Sequence, residues 1–120
     1  MKTKNLVVLL GYVSGSVIER EFENNSKLVQ FVLKTRDIYL KDGERKVEKN
    51  FHNIALWNSV TYKATELLQD GDIVMITGRL KYRKITTQSG EIIFKTEIVA
   101  EEWTKIQESY EHEFEDSISK

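Results

Sequence analysis

The feature that most constrains this chain is a hydrophobic period of two that recurs along most of residues 6–100. Because successive side chains of a β-strand point to opposite faces, this period predicts strands rather than helices. Residues 6–10 are apolar at every position, which is typical of a strand covered on both faces. Five strands are predicted, over residues 6–10 with a weaker continuation at 17–22, and over 28–35, 49–57, 73–84 and 91–100.

One segment between the third and fourth strands has helical spacing instead. Its apolar positions fall at i, i+4, i+7 and i+8, and Asn58 or Ser59 precedes them as the predicted N-cap. Glycines at 11 and 15 predict bulges or a bend in the first strand. The helical positions are Val60, Ala64, Leu67 and Leu68. Turn-forming residues separate the strands at 23–26, 41–44, 69–72 and 87–90.

The predicted order is therefore β-β-β-α-β-β, which is the connectivity of the OB fold. We predict an all-β protein built as a five-stranded Greek-key barrel, with one helix between strands 3 and 4. Barrels of this kind bind oligonucleotides or oligosaccharides across one face. The sequence has no proline and no internal repeat, so residues 1–106 are predicted to form one domain. Residues 107–120 are acidic and poor in apolar side chains, which predicts a short disordered tail.

Composition argues against catalysis. The chain has no cysteine and two histidines, His52 and His112, which lie far apart in sequence. A thiol nucleophile and a thiolate zinc site are excluded, and a histidine-based site has little to draw on. Neither a Gly-rich phosphate loop nor a carboxylate cluster occurs on the predicted strands. We predict no catalytic residue, metal or cofactor, and we find no apolar run long enough to span a membrane.

The charge is divided unevenly along the chain. Residues 1–100 hold 16 Lys and Arg against 12 Asp and Glu, whereas residues 101–120 hold 2 against 7. A mildly basic body with an acidic end favours an anionic partner for the body.

Two aromatic residues share one face of the third predicted strand. Ile54 and Leu56 have the same parity as His52 and are predicted to face the core. Phe51 and Trp57 then lie on the opposite face, where they would form a stacking platform for bases. The alternative is that these rings pack under a loop or against another subunit.

Cations accumulate on the neighbouring strands. On the fourth strand, basic residues recur at one parity and a tyrosine is interleaved, which fits a groove that follows a nucleic-acid backbone. The alternative is the solvated face of a protruding hairpin arm. The second strand adds two further cations and a nearby ring. The residues predicted to contact DNA are Lys34, Arg36, Tyr39, Lys49, Phe51, Trp57, Arg79, Lys81, Tyr82, Arg83 and Lys84.

Several segments in a fixed order resemble the bacterial-type single-stranded DNA-binding proteins, over about residues 4–106. They are Asn5-Leu-Val-Val-Leu-Leu-Gly11, Phe31-Val-Leu-Lys-Thr35, Asn50-Phe-His-Asn-Ile-Ala-Leu-Trp57, Ala64-Thr-Glu-Leu-Leu-Gln-Asp-Gly-Asp72, Ile76-Thr-Gly-Arg-Leu80, Arg83-Lys84, Gln88-Ser-Gly-Glu91 and Lys95-Thr-Glu-Ile-Val-Ala100. The resemblance implies an OB fold that binds single-stranded DNA without sequence preference in replication, recombination and repair. It also implies a homo-oligomer, usually a tetramer, in the cytoplasm at the nucleoid.

The resemblance assigns roles to individual residues. Tyr39, Phe51 and Trp57 match the family's stacking aromatics, and His52 matches a position at a subunit interface. Ile85 replaces a further aromatic, for which Tyr82 is the candidate substitute. The family's acidic tip recruits replication and repair proteins, and the segment 111–116 has a phenylalanine among acids but a different terminus. Its expected role is partner recruitment or competition with DNA for the basic groove.

Two other functions fit the same fold. One is an OB module for protein contacts, such as a replication accessory factor with weak nucleic-acid binding. The other is a binder of single-stranded RNA.

Overall fold

The computed structural model describes residues 1–107, with side chains through residue 106. Residues 108–120, which include most of the predicted acidic tail, lie outside the described residues. The elements are β1 (Val7–Glu21), β2 (Lys27–Lys41), β3 (Glu44–Trp57), a 3-10 turn (Asn58–Thr61), α1 (Ala64–Leu67), β4 (Ile73–Thr86) and β5 (Ile92–Gln107). No helix of the described part is long and apolar enough to cross a membrane.

The five strands close into a barrel in the order β1-β2-β3-β5-β4, which confirms the predicted all-β fold with one helix. Among residues 1–107, the one parallel contact is the short β3–β5 pairing of Ile54 with Ile98 and of Ala55 with Val99. β1 pairs with β4 through its first half and with β2 through its second half. Its register shifts between Ser14 and Ile18, around Gly15 at φ 85°, so the predicted bulge lies here.

The interior of the barrel is aliphatic. The predicted core parity of β3 is confirmed, because Ile54 and Leu56 are fully buried. Buried side chains from all five strands and from α1 form one cluster. Its members are Val13, Val29, Phe31, Leu33, Ile54, Leu56, Ala64, Leu68, Val74, Ile76, Ile98 and Ala100.

The prediction that residues 6–10 are covered on both faces is wrong for the single chain. Val7 and Leu9 pack against the core, but Leu6, Val8 and Leu10 are exposed on the outside of the wall. A closed barrel has one interior, so the outer side of a strand stays bare unless a second layer covers it.

The helical segment is shorter than predicted and is divided in two. Lys63, at φ 55°, lies between the 3-10 turn and the single turn of α1. The predicted N-cap is also wrong, since neither helical piece has a side-chain cap. Asn58 itself has φ 52°, and its Oδ1 accepts a hydrogen bond from the backbone N–H of Lys27 at 3.1 Å. That side chain ties β3 to the start of β2 instead of capping a helix.

Four strands are longer than predicted, and two hairpins extend beyond the barrel. In the first arm (residues 36–49), the outer parts of β2 and β3 pair with each other across a turn at Asp42 and Gly43, both with positive φ. In the second arm (residues 81–96), β4 pairs with β5 across the predicted turn, where Gly90 has φ 86°. The predicted strand ends fell short here because the arm residues are largely exposed on both faces, so no alternation of buried and exposed side chains marks these segments.

Candidate nucleic-acid interface

The register of β2 and β3 places the predicted rings and cations of these strands on one face. Phe51 is the cross-strand partner of Lys34, and Lys49 is the partner of Arg36. Directly opposed side chains of a pair project from the same face, and Trp57 has the parity of Phe51. We call this side of the barrel wall the outer face.

The second arm brings further cations to the outer face. Ala55 of β3 pairs with Val99 of β5, which in turn pairs with Arg79 of β4. Lys81 and Arg83 follow Arg79 by alternation, and all three are exposed. The predicted contact residues on the outer face are Lys34, Arg36, Lys49, Phe51, Trp57, Arg79, Lys81 and Arg83.

The three remaining predicted contact residues lie on the opposite face. Tyr39 pairs with Lys46, one residue out of phase with the Phe51 set. Tyr82 and Lys84 have the parity of Leu80, which packs against the core. All three are exposed on the arms. Closeness in sequence therefore grouped Tyr39 with Lys34 and Arg36, whereas the ladder separates their faces.

Phe51 offers a bare ring. It is 60% exposed, and it lines a cleft of about 390 Å³ between β3 and β5 with Asn53, Lys95 and Thr96. An exposed aromatic side chain beside a cation matches the two contacts that a single strand needs, base stacking and phosphate neutralisation. Sequence reasoning missed Lys95. The signal was its β5 parity, which Lys95 shares with Val99, the partner of Ala55.

A second cleft, of about 330 Å³, adjoins the first on the outer face. Ser14, Ser16, Gln30 and Asn53 line one side with hydroxyl and amide groups, and Arg83, Lys95 and Glu97 line the other. The hydroxyl, amide, guanidinium and ammonium groups can donate to phosphate oxygens or to base edges, whereas the Glu97 carboxylate can only accept, from a base edge.

A buried carboxylate sits below the cations of the second arm. Glu97 is 7% exposed and is the cross-strand partner of Lys81. Its Oε2 lies 3.9 Å from Nη2 of Arg83. Glu97 thus forms an ion pair with Arg83 at the cleft.

Trp57 is half-buried rather than enclosed. Its indole stacks on Phe22, with ring centroids 5.9 Å apart and planes inclined by 22°. Phe22 is 43% exposed, and both rings border an open cleft of about 510 Å³. The sequence predicted Phe22 at the end of the weaker continuation of the first strand. No local pattern linked this residue to Trp57.

Lys34 also contacts a ring that sequence reasoning missed. Its Nζ lies 5.7 Å from the ring centroid of Tyr12, its cross-strand partner on β1. A cation over an aromatic face is attracted by the ring quadrupole. Lys34 is thereby held between Tyr12 and Phe51 on the outer face.

His52 lies at the rim of the barrel on the core-side parity. Its Nε2 is 2.9 Å from Oγ1 of Thr35, a hydrogen bond within the chain, and the residue is half-buried. Within residues 1–107, no cluster of three or more His, Cys, Asp or Glu side chains is arranged to hold a metal ion.

A closed five-stranded barrel of this order, with bare rings and cations on one face, defines an OB-fold protein of the oligonucleotide-binding class. The chain belongs to the single-strand binding protein family, whose sequence profile matches residues 4–107.

Individual relatives agree with this assignment. The chain is 31% identical over 98 residues to "Single-stranded DNA-binding protein 1" of Streptococcus pyogenes, a match that covers 81% of this chain and 74% of that protein. It is 28% identical over 104 residues to "Single-stranded DNA-binding protein" of Streptococcus pneumoniae, covering 86% of this chain and 65% of that protein.

Solved structures share the fold at lower identity. The chain "Plasmodium falciparum SSB complex with ssDNA" aligns with a TM-score of 0.82 at 21% identity, over 89% of this chain and 98% of that one. A deletion mutant of the single-stranded DNA binding protein from Thermus aquaticus aligns with a TM-score of 0.77 at 19% identity, over 87% of this chain and 51% of that one.

Proposed function

We propose that this chain binds single-stranded DNA without sequence preference, through the outer face. The observation that carries the proposal is the exposed ring of Phe51, bordered on its own face by cations from β2, β3 and the second arm. Stacking of a base on such a ring contributes roughly 1–3 kcal/mol. The cations neutralise the phosphates that follow the bases along the face.

Preference for single strands follows from the rings. A duplex hides the faces of its bases, whereas an unpaired strand leaves them free to stack. Every base has such a face, so stacking carries little sequence information. Binding requires no bond to be made or broken, and the proposed task is to cover and protect exposed strands in replication, recombination and repair, in the cytoplasm at the nucleoid.

The three predicted contact residues of the opposite face extend the proposed path. Tyr39 lies on the first arm, and Tyr82 and Lys84 lie on the second. A strand longer than the outer face would reach them by passing around the arms. We therefore propose that these three residues contact only long DNA strands, whereas the eight outer-face residues contact short DNA strands as well.

A homo-oligomer, a tetramer by family resemblance, is part of the proposal. Leu6, just before β1, and Val8 and Leu10 of β1 are exposed, as is Met75 of β4, the cross-strand partner of Leu10. Residues 7–10 pair with β4 on one edge, while the β1–β2 ladder begins only at Tyr12. An apolar strip beside a strand edge that no described residue pairs with is well suited to a second copy of the chain. We place His52 near the subunit contacts.

The experiment compares two phenylalanines on opposite faces. Phe51→Ala and Phe94→Ala each remove an exposed ring, and Phe94 has the opposite-face parity of its partner Lys84. With a dT oligomer of about 8 nucleotides, within the usual span of one OB fold, Phe51→Ala should weaken binding at least about fivefold. Phe94→Ala should bind as the parent does, and equal effects of the two changes would refute the outer face as the site.

A matched RNA oligomer decides the nature of the strand. If a U oligomer displaces the dT oligomer at equal concentration, the chain is a general single-strand binder. If the parent binds neither oligomer, the protein-interaction alternative replaces our proposal.

A further inference from the structure

We propose that Phe22 is a second base-stacking ring, which forms with Trp57 a two-ring nucleotide site at one end of the outer face. This inference rests on the proposed function, and it adds a residue from the β1–β2 turn to the strand's path. The two-ring site comprises Phe22, Trp57 and the turn residues around them.

The two rings are held close to parallel. Their centroids are 5.9 Å apart and their planes differ by 22°, which is an offset stack. Two rings stacked in this way form one continuous apolar surface rather than two separate ones. A base that slides onto the exposed part of Phe22 can therefore follow one that lies against Trp57.

The backbone under each ring is fixed by hydrogen bonds. The N–H of Phe22 donates to the carbonyl of Ser26 at 2.9 Å, and the carbonyl of Phe22 accepts from the N–H of Asn25 at 2.9 Å. Asn58, next to Trp57 in sequence, accepts from the N–H of Lys27 through its side chain. The turn and the end of β3 are thus joined, so the rings are positioned before any strand arrives and little ordering entropy is lost on binding.

Phe22 has surface to spare for a ligand. It lies outside the buried core cluster and is 43% exposed. The open cleft beside it holds about 510 Å³ and is lined by Glu23, Asn24 and Ser26 as well as the two rings. These polar side chains can meet base edges while the rings meet base faces.

Arg20 lies on the same face of the sheet as the two-ring site. Arg20 pairs with Leu28, and Leu28 pairs with Trp57, so the exposed guanidinium-bearing residue is on the face of the two-ring site. Arg20 can neutralise the phosphate of a nucleotide stacked there, whereas Glu23 in the cleft disfavours phosphate. The site therefore takes the base into the cleft and leaves the phosphate toward Arg20.

The first test separates the aromatic face from bulk. Phe22→Leu keeps an apolar side chain against Trp57 but removes the ring, and Phe22→Tyr keeps the ring. With a dT oligomer of about 12 nucleotides, we expect Phe22→Tyr to bind within about twofold of the parent and Phe22→Leu to bind about fivefold more weakly or worse. Phe94→Leu is the matched control on the opposite face, and thermal unfolding verifies that each variant is folded.

The second test separates direct contact from support of Trp57. Phe22→Leu is combined with Trp57→Leu. If Phe22 touches a base, its loss still weakens binding in the Trp57→Leu background. If Phe22→Leu has no effect there, or none in the parent, the proposed contact is overturned while the outer-face site stands. A parent that fails to bind the oligomer overturns the proposed function itself.

Discussion

Lys34 and Phe51 are directly opposed on the β2–β3 ladder, so a cation and a bare ring occupy the same row of the outer face. Lys34 is further held over the ring of Tyr12, with Nζ 5.7 Å from its centroid. This pairing puts charge neutralisation next to base stacking. One cation and one ring are the two contacts that the proposed interface makes with a single nucleotide.

The Lys34–Phe51 row predicts a change in salt dependence. Each phosphate contact on a single strand adds about −0.7 to the slope of log K against log salt concentration. Lys34→Gln should therefore reduce the magnitude of that slope by about 0.7 in a titration with a dT oligomer. Lys46→Gln is the control, because Lys46 faces the other side and already pairs with Glu44 at 3.0 Å. An unchanged slope in Lys34→Gln would remove this residue from the phosphate contacts.

The position of Tyr82 predicts an effect that depends on DNA length. Tyr82 lies on the opposite face of the second arm, so a strand confined to the outer face does not reach it. Tyr82→Ala should bind a dT oligomer of about 8 nucleotides as the parent does and should lose affinity only for strands several times longer. The check is a pair of titrations with the two lengths. A loss with the short oligomer would place Tyr82 on the primary path instead.

Gly78 predicts a stability effect that is independent of DNA. A Cβ at this position would collide with the backbone carbonyl oxygen of Val99, where the β4–β5 register shifts. Gly78→Ala should lower the free energy of unfolding by roughly 1–3 kcal/mol or more, because backbone atoms must move apart. Ser16→Ala, at an exposed position, is the control in denaturant unfolding. Parent-like stability of Gly78→Ala would contradict the close approach of these strands.

The exposed apolar strip on β1 predicts that the chain forms an oligomer through this surface. A single charged side chain introduced into the strip should disrupt that oligomer. Leu10→Asp places a carboxylate among Val8 and Met75, where burial against a second copy would be costly. Light scattering should report a smaller assembly for Leu10→Asp than for the parent. Leu40→Asp, at an exposed apolar residue of the first arm, should leave the mass unchanged. If both variants keep the parent's mass, the strip is not a subunit contact.

Much of the fold could be predicted from local periodicity. Parity within a strand depends only on alternation, so the core-facing Ile54 and Leu56 and the outward Phe51 were separable from sequence. The turn at 69–72 and the bulge at Gly15 were equally local, since they depend on residues that tolerate positive φ.

It was harder to predict which residues of neighbouring strands share a face, because this depends on the register between the strands. The Asp42-Gly43 turn fixes Lys41 opposite Glu44, and this pairing in turn places Tyr39 and Phe51 on different faces. Asp-Gly is a strong signal for a two-residue hairpin turn, so counting outward from it would have separated the two rings. The prediction used the parity of each strand alone.

Contacts between distant segments had no local signal. Phe22 meets Trp57 only because β2 lies between their strands, and periodicity does not report such a neighbour. The helix was overestimated for a related reason, since the apolar spacing at 60–68 is met by two short pieces on either side of Lys63. Leu67 is consequently exposed although its spacing predicted burial.

Unpaired bases that stack on the rings of the outer face would change the fluorescence of Trp57, so tryptophan emission reports the proposed contact. Trp57 is one ring of the two-ring site, whereas the indole N–H of Trp103 donates to the carbonyl of Val60 in the 3-10 turn. In a Trp103→Phe variant, the emission therefore reports Trp57 alone. We predict that a single-stranded dT oligomer quenches this emission and that a duplex of equal length at equal concentration leaves it nearly unchanged. Equal responses to both, or none to the single strand, would contradict the account.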